Sequence, residues 1–271
     1  MRLIPHRPQR ILLSVTIATL LSSVAGMSDA IGFSQTGEFV SFMSGNTTRM
    51  AIAFSNHDVS RGGRLISVIA LFVVGNALGA IVARLGGKHG RRWLLLYSFL
   101  LLAAAAALPA VAGLADTLGL ENLAGSVRIP QTDMTLVSLV LLIFAMAGLN
   151  GTVDSVEGVG LSLTFVSGAL AKFGRGLGNL LMGERRFDWA VQLGPWSGLV
   201  LGAILGNLLD DRYGRDALWL PALICLLLAG YSILAPGHGR KASPEQSRSS
   251  ANFMTAPAWP DRCRPPLAAR S

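Results

Sequence analysis

Cysteine, histidine and charge are all scarce in this chain. The two cysteines are Cys225, in an apolar stretch, and Cys263, in a polar one. Two so placed make neither a disulfide framework nor a paired-cysteine metal site. The four histidines, His6, His57, His89 and His238, are scattered through polar regions. No H-E-x-x-H, G-x-S-x-G or Walker A pattern occurs, so no enzyme activity, metal or cofactor is expected. Only 14% of the residues are charged and 51% are hydrophobic. That is too little charge to cover a soluble domain of this length. The net charge of +8 sits in short connectors and the C-terminal stretch, with no aromatic-rich basic face. It therefore reads as membrane topology, not as nucleic-acid binding.

What the chain does have is a series of apolar runs. They cover Ile11–Ala30, Leu65–Ala83, Trp93–Leu114, Met134–Leu149, Trp189–Leu208 and Ala217–Ala235. Two shorter runs, Phe39–Phe54 and Val159–Phe173, carry polar interruptions. A bilayer-spanning helix needs roughly 20 apolar residues. Backbone groups in lipid must be satisfied internally, so helices are expected, and the short alternating segments of a barrel are absent. The partner implied is the lipid bilayer. After Pro236 the composition turns to Pro, Ser, Arg and Gly, and a disordered basic tail is expected.

The chain repeats itself at an offset of 123 residues. Phe42-Met43-Ser44-Gly45 falls on Phe165-Val166-Ser167-Gly168, and Arg49 on Lys172. Gly75, Gly79, Ala80 and Ile81 fall on Gly198, Gly202, Ala203 and Ile204. Upstream the register slips by one, placing Ala25-Gly26 on Ala147-Gly148. One spacing that links separate segments points to two fused copies of one unit. The first run has a counterpart in Met134–Leu149, so it is expected to be a retained helix and not a cleaved signal peptide.

Charge then chooses the topology. With Arg2, Arg7 and Arg10 inside, six spans place Lys88, Arg91, Arg92, Lys172, Arg175, Arg185 and Arg186 inside as well. The acidic connector with Asp116, Glu121 and Asp133 then lies outside. Eight spans would reverse the sides of Arg91 and Asp116. The expected fold is therefore an all-α integral membrane protein: six transmembrane helices as two inverted three-helix repeats, each with a short re-entrant or broken segment. The expected parts are a cytoplasmic N-terminus (1–10), a first membrane repeat (11–114), an extracytoplasmic connector (115–133), a second repeat (134–235) and a cytoplasmic tail (236–271). The glycines of Gly75-x-x-x-Gly79 and Gly198-x-x-x-Gly202 are expected to pack helices within the chain, with homodimerisation as their alternative use.

The candidate chemistry lies in the interrupted runs. In Ser44-Gly45-Asn46-Thr47-Thr48-Arg49, Gly45 would relax the backbone and Ser44 or Asn46 would cap a short helix, with Arg49 adding a charge one turn on. Ser167, Gly168 and Lys172 repeat the turn and the cation. Together these residues would form a solute site between the halves that favours a negative group. The competing reading is that Arg49 and Lys172 snorkel or fix topology. Asp29, at the end of the first run, would couple protons or balance Arg49; its competing reading is an interfacial carboxylate. Glu38 reads as a connector charge.

Gly26-Met27-Ser28-Asp29-Ala30-Ile31-Gly32-Phe33, followed by Phe39-Val40-Ser41-Phe42-Met43-Ser44-Gly45-Asn46-Thr47, resembles the paired motifs of the YoaK/DUF1275 family of bacterial membrane proteins. Thr164-Phe165-Val166-Ser167-Gly168 resembles that family's weaker second-half element. The resemblance runs from about Ile11 to Ala235 and departs at Gly151–Gly158. It implies a polytopic inner-membrane protein and brings no substrate. The function expected from the residues is secondary transport of a small, anionic solute. A membrane assembly or lipid-interacting protein is the first alternative and a membrane-embedded enzyme the second.

Overall fold

The computed structural model of the chain describes residues 8–117, 131–153, 166–183 and 188–234. All lie in one compact unit, residues 1–237. Among the described residues eight α-helices follow one another: α1 (Pro8–Thr36), α2 (Met43–Ser55), α3 (Val59–Leu85), α4 (Gly90–Thr117), α5 (Gln131–Val153), α6 (Val166–Leu181), α7 (Leu193–Tyr213) and α8 (Trp219–Leu234). Short 3-10 turns at Gly87–His89, Asp188–Gln192 and Gly214–Leu218 join or precede helices, and no strand occurs among the described residues. Most of the 115–133 connector, the segment 154–165 with Asp154, Glu157, Thr164 and Phe165, and the tail from 235 lie outside the described residues.

Among the described residues five segments are long and apolar enough to cross a membrane: Leu12–Thr36, Val59–Leu85, Gly87–Leu114, Met134–Thr152 and Trp189–Ile233. The last, 45 residues long, contains both α7 and α8. Val73 and Ile81 on α3, Leu201, Ile204 and Leu208 on α7, and Leu223 and Leu227 on α8 are all exposed. Apolar rows on that scale would aggregate in water, and hydrocarbon is the solvent that suits them.

Helix boundaries move where side chains satisfy the backbone. The first helix does not stop at Ala30 but runs to Thr36. It ends at Gly37, whose φ of +75° suits a glycine C-cap and whose N–H donates to the Phe33 carbonyl at 2.8 Å. The polar hexamer at Ser44–Arg49 does not break a helix; it forms the first two turns of α2. Thr47 and Thr48 hydroxyls donate back to the Met43 and Ser44 carbonyls at 2.8 and 3.1 Å, so their polarity is absorbed locally. The N-cap of α2 is Phe42, without a side-chain bond, so neither Ser44 nor Asn46 caps it. The second short segment begins at Val166 and continues to Leu181, well past Phe173.

Glycine sets the closest helix pairs. α1 packs along α7, and α3 along α5. A methyl at Gly198, Gly202 or Gly206 would collide with backbone at Thr19, Ser23 and Met27 in turn. Both numbers rise together, so α1 and α7 run parallel. A methyl at Gly75 would press on the Phe144 and Ala147 side chains, and one at Gly79 would touch Gly148, so α3 and α5 are parallel too. α4 packs antiparallel to α5, with Ser98 Oγ donating to the Ala145 carbonyl at 2.9 Å and Leu94 beside Gly151. α4 also packs on α8. Ile17 and Leu21 of α1 line a small void with Arg91 of α4, Thr152 of α5 and Tyr231 of α8. The N-terminal parts of α1 and α4 therefore lie level with the C-terminal ends of α5 and α8. At the other end Gln35 Nε2 donates to Asp210 Oδ1 at 2.6 Å, and Arg215 donates to Thr135 Oγ1. That end gathers the C-termini of α1 and α7 with the N-terminus of α5.

Candidate functional site

The motif residues converge on one stretch of backbone, residues 37–42 between α1 and α2. This connector leaves a helix and enters another beside the bundle, so its N–H and C=O groups need partners that neither helix supplies. Asp29 supplies three acceptor contacts from α1. Its Oδ1 receives the Val40 and Ser41 N–H groups at 2.8 and 2.7 Å, and its Oδ2 receives the Ser41 hydroxyl. Asn46, fully buried on α2, holds Phe39 at both ends. Its Oδ1 accepts the Phe39 N–H at 3.2 Å and its Nδ2 donates to the Phe39 carbonyl at 2.7 Å. Thr36 Oγ1 accepts the Glu38 N–H at 3.1 Å. An amide can do what Asn46 does because it carries a donor and an acceptor side by side, as a peptide does.

Arg49 closes the same connector from one turn further along α2. Its Nη1 donates to the Gly37 carbonyl at 2.6 Å and to Glu38 Oε2 at 3.2 Å. The guanidinium lies 5.2 Å from the centre of the Phe33 ring and 5.9 Å from that of Phe39, and the two rings stack at 4.7 Å. Phe42 meets Phe39 edge-on at 5.4 Å. Gly45 is helical; its role is room, because a Cβ there would run into the Phe42 ring. Arg49 therefore has its carboxylate partner in Glu38, and Asp29 is engaged with Val40 and Ser41. Glu38 is the residue that the sequence pattern undervalued; its side chain is 7% exposed. Burial pushes its carboxyl above the usual range, against the pull of Arg49, Arg64 and Arg61.

Ser44, Thr47 and Thr48 are exposed on the outer face of α2. Beyond Arg49 a cleft of about 120 Å³ opens between α2 and the start of α3, lined by Ile52, Ala53, Asn56, Asp58 and Arg61. Asp58 Oδ1 caps α3 by accepting the Arg61 N–H at 3.0 Å. Arg49, Arg61 and Arg64 thus stand against the carboxylates of Glu38 and Asp58, an excess of one positive charge around this cleft.

The second-half residues do not join this cluster. α6, with Ser167, Gly168 and Lys172, packs on the 3-10 turn at Asp188–Gln192 and on α7; α2 packs on α3. The turn feeding α7 belongs to the bundle end opposite Gln35 and Asp210. Gly75, Gly79, Gly198 and Gly202 lie at the α3–α5 and α1–α7 contacts inside the chain. No group of three or more metal-ligating side chains occurs among the described residues.

Comparison with known proteins agrees with a membrane chain of this design. A family model described as "Protein of unknown function (DUF1275)" matches residues 17–231. That range takes in most of α1, the connector, α2 and most of α8. The UPF0700 transmembrane protein RA0705 of Rhizobium meliloti (strain 1021) is 38% identical over 235 residues, covering 87% of this chain and 92% of that protein. No solved structure matches. The paired motif around Asp29 and Asn46, the apolar helices and the length of the match lead to one conclusion: this chain belongs to the DUF1275 family of transmembrane proteins.

Proposed function

We propose that the protein is a secondary transporter, moving a small solute across the inner (cytoplasmic) membrane by alternating access between two inverted halves. The observation that carries this reading is an exchange rule in the packing. At the 123-residue offset α5, α6, α7 and α8 are the counterparts of α1, α2, α3 and α4. Exchanging the halves turns the α1–α7 pair into α5–α3; both are packed, parallel and built on glycine. It turns α1–α8 into α5–α4, also both packed, while α1–α5 and α4–α8 map onto themselves. The N-terminal part of α1 lies level with the C-terminal end of α5, which supports counterparts that point in opposite directions. An eight-span chain would run them the same way. Inverted repeats with interrupted or short helices are an architecture that secondary transporters use.

The end carrying Arg84, Lys88, Arg91 and Arg92 is then cytoplasmic, as are both termini, and the end carrying Asp58, Asp210 and Asp211 faces outward. On that outer side the excess positive charge beside Arg49 favours an anionic solute. Ser44 and Thr47 line its approach, while Gly45 and Asn46 hold α2 in place. Asp29, inside the first span, couples protons through the connector it holds. Ser167, Gly168 and Lys172 act at the inner end as their counterparts. No ATP-binding motif is present, so an ion gradient or the solute's own gradient drives the cycle.

The test is a thermal-stability screen of the purified protein against metabolites and ions, followed by uptake in proteoliposomes. A ligand at about 100 times its Kd should stabilise the protein by about 2.7 kcal/mol. The hit should vanish in Arg49→Ala. Transport at the unaltered rate in both Arg49→Ala and Lys172→Ala would refute this site.

A further inference from the structure

Helix α6 differs from the other helices in how its sides are divided. Its 16 described residues reach about 24 Å. Leu170, Leu177 and Leu181 are exposed and fall within about 40° of one another around the axis. Lys172, Arg175 and Asn179 are exposed as well and cluster about 180° away from the leucines. Between the two rows runs a packed flank. There Phe173 meets Trp189 edge-on, ring centres 5.1 Å apart. Gly176 lies so close under the same indole that a Cβ would collide with it.

We infer that α6 lies along the membrane–water boundary at the bundle end formed by the start of α7, and that Lys172 and Arg175 bind the headgroups of anionic phospholipids. No uniform solvent suits this helix. Water would strand the leucine row and hydrocarbon would strand the two cations; only the headgroup boundary satisfies opposite faces at once. The packed flank fixes the roll: with Phe173 and Gly176 clamped sideways on Trp189, the leucines point to the acyl chains and the cations to the headgroups. Tryptophan is itself favoured at this depth. The charge selects the lipid. Residues 166–186 contain four cations, Lys172, Arg175, Arg185 and Arg186, against one carboxylate, Glu184. A cation near an anionic membrane surface strengthens association about fivefold. The inference needs only the membrane placement of the family and stands whether or not the protein transports.

The test uses the full-length protein in nanodiscs of phosphatidylcholine alone and of phosphatidylcholine mixed with phosphatidylglycerol. Wild type should melt at a higher temperature in the mixed discs, and the gain should shrink with added salt. In Lys172→Gln/Arg175→Gln, with its helix content unchanged in plain discs, the gain should be largely lost. An equal gain in wild type and double variant, or none in wild type, overturns the proposal. Depth is read separately in a Cys263→Ser background, since Cys225 is buried. A spin label at Leu177→Cys should be reached by oxygen, and one at Arg175→Cys by a water-soluble nickel chelate. Equal access of the chelate to both positions would refute the interfacial placement.

Discussion

Asn46 holds Phe39 by both backbone groups, its Oδ1 taking the N–H and its Nδ2 reaching the carbonyl. A side chain on α2 thus supplies what a neighbouring strand would supply in a sheet, at a point where no strand exists. The connector between α1 and α2 is therefore fixed from two helices at once, by Asn46 from one side and Asp29 from the other.

Removing that amide orphans two polar groups of the connector. Each unsatisfied buried group costs about 1–3 kcal/mol. Asn46→Ala should lower stability by about 2–4 kcal/mol, read as a drop in melting temperature in detergent. Asn46→Asp keeps the acceptor, loses the donor and adds charge, and should give no rescue. A melting temperature unchanged in Asn46→Ala would mean the connector is held without it.

The glycines divide into two groups that one substitution separates. Gly202 lies against the Ser23 backbone, while Gly63 has open space where a Cβ would go. Gly202→Ala should destabilise by about 1–3 kcal/mol through forced separation of α1 and α7. Gly63→Ala should stabilise by up to about 1 kcal/mol through helix propensity. Both are read by thermal melting of the purified protein; equal effects at the two positions would contradict the packing.

Much of the helix pairing was legible in the sequence because glycine spacing is a local signal. Gly75, Gly79, Gly198 and Gly202 announce close approach and recur at one offset. The roles of Asp29, Glu38 and Asn46 were not legible, because their partners are backbone groups of a connector that takes shape only after α1 and α2 dock. Hydropathy ended the second short run at Phe173, yet the helix continues to Leu181; Lys172 and Arg175 sit on one face of it, opposite the leucines, and do not stop it. The short helix expected at Ser44–Arg49 is present, but it starts at Met43 and neither Ser44 nor Asn46 caps it.

Glu38 gives the connector a pH dependence with a definite sign. Burial raises its carboxyl above the ordinary 4.5, with Arg49, Arg64 and Arg61 opposing. Between the ordinary and the raised value the folded protein binds more protons than the unfolded chain, so stability falls as pH rises through that window. Glu38→Gln lacks the carboxyl and should lose this slope. Melting temperatures of the two proteins across the window should therefore diverge; parallel curves would remove Glu38 as the source.

Asp29 separates structure from coupling. Asp29→Asn retains an oxygen for the Val40 and Ser41 N–H groups, whereas Asp29→Ala retains none. Asp29→Ala should be the less stable of the two by about 1–2 kcal/mol. If the carboxyl also carries a coupling proton, Asp29→Asn should stay folded yet lose solute accumulation against a gradient while keeping exchange down it. Full accumulation by a folded Asp29→Asn would reduce Asp29 to a clamp on the connector.

The orientation of the bundle follows from which end meets which solvent. His89 and Asp211 are both exposed, one beside the start of α4 and the other near the end of α7. Helix packing sets these two ends apart, since the N-terminal parts of α1 and α4 share a level that the end of α7 does not. In cells carrying Cys263→Ser, Asp211→Cys should react with an impermeant maleimide added outside. His89→Cys should react only after permeabilisation if, as proposed, the cations around it face the cytoplasm. Labelling of His89→Cys from outside, with Asp211→Cys protected, would invert the whole assignment and move Arg49 to the inner face. Labelling of both from outside would mean that α7 does not cross.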